Sequence, residues 1–422
     1  MILSDLFRPF YNLLMNLITC IVTLFIHRDK KIILMGSWYG RRFGGNTRYL
    51  FQYLSENKEK YGLKKVIWVT REESICSELR NLGYEVYMMK SKEGLYYHFK
   101  AGIHALNVNI STSTSTSKTV NGDIMGELSM GAHKLFLNHG VAAIKGSKFL
   151  EDESLSKKDK LLVKVYKIIY GLPFFRHWML VAGGWDKNVF IAPTEKMIER
   201  DKARTAQSKN KKYVVAGFPE LCEPLKYTSR EQAILKQLEM HNRVILYVPT
   251  YRTDNRTGYK HPLDDEKLRH YLKENNYFWI DKMHPGAKKD MEAKDYDSSI
   301  SMLLESEFDM NIIVNHVDVL ISDYSSAVQK AVYYHKPIVN YWADIEGYKK
   351  YGNGLVKSFF DDAVGEQAYN VDELLVSISN SLSDNYFAKN EEIYKEKFQY
   401  FFGGKKSNYE EIAEKLFEQI AK

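Results

Sequence analysis

Short apolar runs and amphipathic helical stretches alternate along almost the whole chain, in two successive series. The first series places strands at residues 31–36, 66–70, 85–89, 105–110 and 134–137, with helices at 46–61 and 74–82 between them. The second places strands at 213–216, 244–248, 278–280, 312–314, 319–322 and 338–341. Strand–helix alternation of this kind predicts parallel sheets covered on both faces. At 422 residues the chain is too long for one ordinary domain and suits two. The reading is therefore α/β: two Rossmann-like parallel-sheet domains facing a cleft. The polar, charge-rich stretch 199–212 reads as the linker, and 390–422 as helix broken at Gly403 and Gly404.

Composition narrows the partners. With 45% hydrophobic and 14% aromatic residues there is ample core, so large-scale disorder is excluded. The net charge of +7 is spread along the chain. It suits an anionic small substrate or an anionic membrane face, not nucleic acid. The three cysteines, Cys20, Cys76 and Cys222, form no CxxC pair, which argues against a disulfide framework or zinc site and for a reducing compartment.

Residues 7–26 form an apolar stretch followed at once by His27, Arg28, Lys30 and Lys31. It is shorter than the ~20 uninterrupted apolar residues a comfortable span needs, and it carries Asn12 and Asn16. A helix lying in the membrane interface, a marginal span and a helix packed on the protein remain as readings. The basic cluster favours the first, against anionic headgroups. Residues 156–175 interleave five lysines with apolar positions at helical spacing and read as an amphipathic helix, either facing the membrane or packed on its own domain with its lysines in solvent.

In open α/β sheets, ligands bind beyond the carboxyl ends of the strands, so residues there carry most weight. Val319–Ser322 runs into Asp323, Tyr324, Ser325 and Ser326. Two hydroxyls at a helix N-terminus suit a pyrophosphate, although a simple serine cap accounts for them as well. Pro249, Thr250, Tyr251 and Arg252 end another strand, and an arginine there can pair bidentately with phosphate oxygens. His284–Pro285 and His139–Gly140 follow strands in the second and first series, and Gly217-Phe218-Pro219 makes a tight turn. A histidine titrating near neutrality can take a proton from an attacking hydroxyl. The STSTSTS run 111–117 is read as a loop in preference to a hydroxyl lining for an acceptor site. No Walker A, HExxH, GxSxG or convincing DxD motif occurs, so neither a cofactor nor a metal is implied.

In order, His139-Gly140, Gly217-Phe218-Pro219, Val248 to Arg252, His284-Pro285, Ser322 to Ser326 and Lys336-Pro337 resemble the motifs of the CDP-glycerol:poly(glycerophosphate) glycerophosphotransferases, the family of teichoic acid primases and polymerases. The resemblance, which runs from about Lys31 onward, implies a GT-B fold with the nucleotide donor in the C-terminal half; with the residue pattern this gives a membrane-associating helix at 1–30, an acceptor-side domain at 31–205 and a CDP-donor domain at 206–422 whose final helix packs back. It implies transfer of a polyol phosphate from CDP-glycerol or a related CDP-polyol to a lipid-linked or polymeric glycan acceptor, at the cytoplasmic face of a bacterial membrane. His139 is then the general base. His284, Arg252, Ser325 and Ser326 hold the donor phosphates, with Thr250, Asp323, Gly217 and Pro219 completing the donor site. The chain departs from the family pattern at Glu220 and Cys222, where arginine and aspartate are usual, and at Lys330, where aspartate is usual. Which polyol is moved stays open, as does homo-oligomerisation. A GT-B glycosyltransferase using a nucleotide sugar is the rival; it calls for a sugar-reading acidic residue near Ser325. A catalytically idle polymer binder is a further alternative, and would be indifferent to loss of His139.

Overall fold

The computed structural model describes residues 14–15, 17–107, 122–138, 188–204, 212–252, 255–283, 296–305, 308–352, 355, 359–360 and 363–421. They fall into two compact units. The first runs to Asn138, resumes at Asn188, ends at Lys226 and takes in the final helix Tyr409–Ala421; the second is Tyr227–Lys406.

The first unit is built on a seven-stranded sheet in the order β3-β2-β1-β4-β5-β6-β7. Its strands are β1 Asp29–Gly36, β2 Lys65–Thr70, β3 Val86–Met88, β4 Ala101–Leu106, β5 His133–Phe136, β6 Asn188–Ala192 and β7 Tyr213–Val215. All pairings are parallel. Strands buried on both faces need near-continuous apolar sequence, and β1 and β2 meet that with runs of fully buried residues. Leu34, Ile67, Val69, Leu106 and Phe136 share one core cluster.

The second unit carries a six-stranded parallel sheet in the order β10-β9-β8-β11-β12-β13. These strands are β8 Arg243–Val248, β9 Tyr277–Lys282, β10 Ser301–Leu304, β11 Val319–Ser322, β12 Ile338–Tyr341 and β13 Glu366–Ala368. A core of Ile245, Trp279, Val319, Ile321 and Val339 joins the sheet to Leu268, Leu272, Leu374 and Ile378 of covering helices. The helix Tyr386–Phe402 stops at Gly403, whose φ of 68° is the left-handed cap conformation glycine adopts without a Cβ clash.

Several sequence expectations shift. Residues 312–314 lie in a helical turn, Asn311–Val314, because the Asp309 carboxylate accepts the Asn311 N–H at 3.1 Å and opens the turn; a short apolar run does not distinguish the two states. The fourth strand starts at Ala101, four residues early, its pattern masked by the fully buried His104. The stretch expected as a linker begins inside the helix Glu195–Arg204, and Tyr213–Val215 is the last strand of the first sheet, not the opening of the second. The break between units accordingly follows Lys226, because β7 hydrogen-bonds to β6. Residues 111–117 and 156–175 lie outside the described residues.

Residues 17–26 form helix α1. Its polar side faces inward: Thr19 is fully buried and its hydroxyl donates to the carbonyls of Met15 at 2.8 Å and Glu127 at 3.3 Å. Leu17, Ile18, Ile21, Leu24 and Phe25 face out, the last two 68% and 81% exposed. The basic cluster expected after it is smaller than the sequence implies. Arg28 turns inward and donates to the carbonyls of Met130, His98, Phe99, Ala101 and Leu128, leaving His27, Lys30 and Lys31 exposed. Burial lowers the Arg28 pKa to about 10. Among the described residues, no helix is long and apolar enough to cross a membrane.

Candidate active site

In the second sheet the order reverses between β8 and β11, the point where open α/β sheets bind ligands. The strand-end residues expected from sequence gather there. Val248 leads to Thr250, whose backbone N–H donates to the Asp323 carboxylate at 2.8 Å. Ser322 at the end of β11 donates its hydroxyl to the Val248 carbonyl at 2.6 Å, locking the two strand ends together. Ser325 and Ser326 follow, half-buried, at the start of the helix Ala327–Tyr334; the Ser325 hydroxyl accepts the Ala327 N–H at 3.2 Å. The Thr250 hydroxyl is buried with no hydrogen-bond partner. An unpaired buried hydroxyl is costly in an empty interior and useful where a ligand completes it.

Arg252 is expected to pair with phosphate, but its guanidinium is 2% exposed and already committed within the protein. Its Nε and Nη2 grip the two Asp344 carboxylate oxygens at 2.8 and 2.9 Å, and Nη2 lies 2.8 Å from Asp323. Nη1 donates to the Thr250 carbonyl. The rings of Tyr259, Tyr324 and Tyr348 surround the cation at 4.9 to 5.0 Å. Burial alone would lower the Arg252 pKa; the charge of Asp323 and the bonds and charge of Asp344 override it and hold the group cationic, above its usual value. Tyr324 donates its hydroxyl to Asp344 at 2.9 Å and stacks on Tyr348, while the Trp342 indole N–H donates to the Asp323 carbonyl at 3.1 Å. One buried cation thus ties together the chain segments that follow β8, β11 and β12. Asp344 and Trp342 were not picked out from the sequence, and Tyr324 was named there only as a member of the strand-end motif; Asp344 stands just past a strand end, as Asp323 does, and that position was the available signal.

Gly217 and Pro219 belong to the first unit, and Thr250 and Asp323 to the second. Gly217 is in close contact with Ser407, where a Cβ would meet the serine hydroxyl at 2.6 Å. The short helix Pro219–Leu221 that follows is anchored by the Glu220 N–H, which donates to the Asn46 side chain at 2.9 Å. The Asn46 amide donates in turn to the carbonyls of Leu137 and Asn138, both at 2.9 Å. Asn46 therefore secures the turn immediately before His139, in which Asn138 has a φ of 59°. His139 and His284 themselves lie outside the described residues. Lys330, at a position of departure from the family pattern, donates to the Asn311 side chain.

The profile of the family described as CDP-Glycerol:Poly(glycerophosphate) glycerophosphotransferase matches residues 18–418. The chain is 22% identical over 393 residues to the teichoic acid poly(glycerol phosphate) polymerase of Bacillus spizizenii, covering 89% of this chain and 90% of that one. It is 28% identical over 174 residues to the teichoic acid glycerol-phosphate primase of Bacillus subtilis, a match spanning 40% of this chain and 43% of the primase. In three dimensions it resembles the wall teichoic acid polymerase TagF, with a TM-score of 0.66 at 15% identity over 99% of this chain and 97% of that one.

Proposed function

Because the chain belongs to the CDP-glycerol:poly(glycerophosphate) glycerophosphotransferase family, we propose that it transfers glycerol phosphate, or a related polyol phosphate, from a CDP-activated donor to a hydroxyl of a teichoic acid-like or capsular polymer or its lipid-linked precursor. The observation that carries this reading is the strand-end cluster of the second unit. There an unpartnered buried Thr250 hydroxyl lies beside Asp323, and the Ser325–Ser326 pair opens a helix whose N-terminus favours anions.

In the reaction, the acceptor oxygen attacks the polyol-bearing phosphorus of the donor. The bond from that phosphorus to the bridging oxygen breaks, and CMP leaves with the oxygen and the electron pair. His139 takes the hydroxyl proton. His284, Ser325 and Ser326 hold the phosphate oxygens and offset charge on the departing CMP, a task of positioning and electrostatics. Arg252 acts from behind, holding the Thr250 carbonyl and the Asp323 carboxylate directly while Asp344 fixes its guanidinium. The outward apolar face of α1, flanked by exposed His27, Lys30 and Lys31, supports peripheral docking on an anionic cytoplasmic membrane face.

The test is nucleotide release by the purified full chain given CDP-glycerol, other CDP-polyols or UDP-sugars, with a lipid or polymer acceptor. CMP from a CDP-polyol, lost in His139→Ala, is the expected result and identifies the polyol. UDP from a sugar nucleotide, with no CMP from any CDP-polyol, overturns the reading in favour of a glycosyltransferase.

A further inference from the structure

The first sheet has a reversal of its own, between β1 and β4. Helix α2, Gly45–Glu56, begins beyond β1, and Asn107 stands at the end of β4. The two meet across the reversal point: a Cβ built on Gly45 would lie 2.5 Å from the Asn107 Nδ2 and 2.9 Å from its Oδ1. Gly45 has a φ of 64°, so the first residue of α2 needs both the backbone freedom and the missing side chain to admit this amide.

Asn107 is 1% exposed, and neither atom of its side-chain amide has a hydrogen-bond partner. Its backbone is satisfied separately, the N–H donating to Asp123 at 2.9 Å. The hydroxyl of Thr47, in the first turn of α2 and fully buried, is also without a partner. Buried polar atoms are nearly always paired, so a wholly unpaired amide aimed at a helix N-terminus at a sheet reversal point marks a place for a ligand. The chemistry of the surroundings selects the ligand class. The Asp123 carboxylate, fully buried, takes the N–H groups of Tyr39 and Asn107, so a negative charge already occupies this end of the sheet. A second anion is unfavourable beside it. A carboxamide offers one donor side and one acceptor side, which matches a hydroxyl that both donates and accepts. The next residue, Asn46, is the one that secures the turn before His139.

We propose that Asn107 and the first turn of α2 form a subsite that binds a hydroxyl of the polyol unit at the acceptor end. This rests on the transferase reading above and adds the part of the acceptor that is recognised.

Two measurements on the full chain test it: calorimetric binding of a glycerol phosphate oligomer without donor, and CMP release as oligomer and CDP-glycerol are varied separately. For Asn107→Ala we expect oligomer binding and acceptor KM to weaken about tenfold, the size of one lost hydrogen bond to a hydroxyl. Donor KM should be unchanged, and the melting temperature equal or higher, since an unpaired buried amide has been removed. A purely structural asparagine would lower the melting temperature and leave the two KM values in step. Asn107→Ser, which puts a hydroxyl in place of the amide and so keeps a donor and an acceptor, should recover part of the loss. Unchanged oligomer binding in folded Asn107→Ala overturns the subsite, as does a wild-type chain that binds no oligomer. Inorganic phosphate displacing the oligomer in an Asn107-dependent way overturns the hydroxyl assignment in favour of an anion site. The binding arm is independent of turnover, so absence of CMP release with oligomer binding intact would count against the transferase reading alone.

Discussion

Asp344 grips Arg252 with both carboxylate oxygens, at 2.8 and 2.9 Å, and both side chains are all but excluded from solvent. Removing one member of such a pair strands a buried charge, which costs about 3 kcal/mol or more. Asp344→Ala should therefore lower stability by roughly that amount in urea unfolding, and should raise the donor KM, because Thr250 and Asp323 lose their shared anchor. A variant with wild-type stability would show that the clamp is dispensable.

Thr250→Val makes the opposite prediction for stability. Its hydroxyl has no partner in the protein, so replacing it with an isosteric methyl leaves stability unchanged or slightly higher. If the hydroxyl meets the donor, the KM for the CDP-polyol rises about tenfold. Equal KM values for variant and wild type would assign Thr250 no role in donor binding.

The serine pair separates into two functions. Ser325 accepts the Ala327 N–H, while Ser326 makes no side-chain cap bond. Ser325→Ala should cost about 1 kcal/mol of stability as well as activity. Ser326→Ala should cost activity alone, on the order of 100-fold in kcat if it stabilises the departing charge. Melting curves read beside CMP-release rates separate the two.

His98 sets an acid limit. Its Nδ1 donates to the Gly94 carbonyl at 2.6 Å and its Nε2 accepts the Met125 N–H at 3.0 Å, an arrangement only the neutral ring can make. Burial, the largest influence, lowers its pKa to about 4 from an ordinary 6.5. Above pH 6.5 both folded and unfolded states are neutral and stability is full. As pH falls from 6.5 towards 4 the unfolded chain takes up a proton that the folded one refuses, so stability drops by on the order of 3 kcal/mol. His104, its pKa also lowered by burial, acts in the same direction. Urea midpoints compared at pH 7.5 and 5 check this; a midpoint that rises on acidification would contradict it.

Leu24 and Phe25 are the most exposed apolar residues of α1. Charging both should leave folding intact. Burying a large apolar side chain is worth roughly 1.5 kcal/mol or more, so the double substitution Leu24→Glu, Phe25→Glu should reduce partitioning onto anionic vesicles by about 100-fold. Vesicle sedimentation that ignores the substitution would remove α1 from any membrane contact.

Much of this protein is written locally. Runs such as Val66–Val69 and Val244–Val248 are apolar for their whole length, and only a strand buried on both faces has use for that. Hence two parallel-sheet halves, and strand ends at Thr250 and Asp323 as the place to look, were legible without coordinates. Elements whose pattern is short or interrupted were less so: the three-residue edge strand β13, the helical turn Asn311–Val314, the first residues of β4 with its buried histidine, and the sheet joined by β7, itself legible as a strand. Their states depend on neighbours far along the chain, as when β6 claims β7 for the first unit. The same limit applies to charge. Sequence identifies Arg252 and Arg28 as cations near important positions. Tertiary structure alone decides that Arg252 meets Asp344, 92 positions away, and that Arg28 meets a ring of carbonyls. Periodicity is set by neighbours in the chain, so sequence determines it; which donor reaches which acceptor is set by folding, so only the folded molecule can decide it.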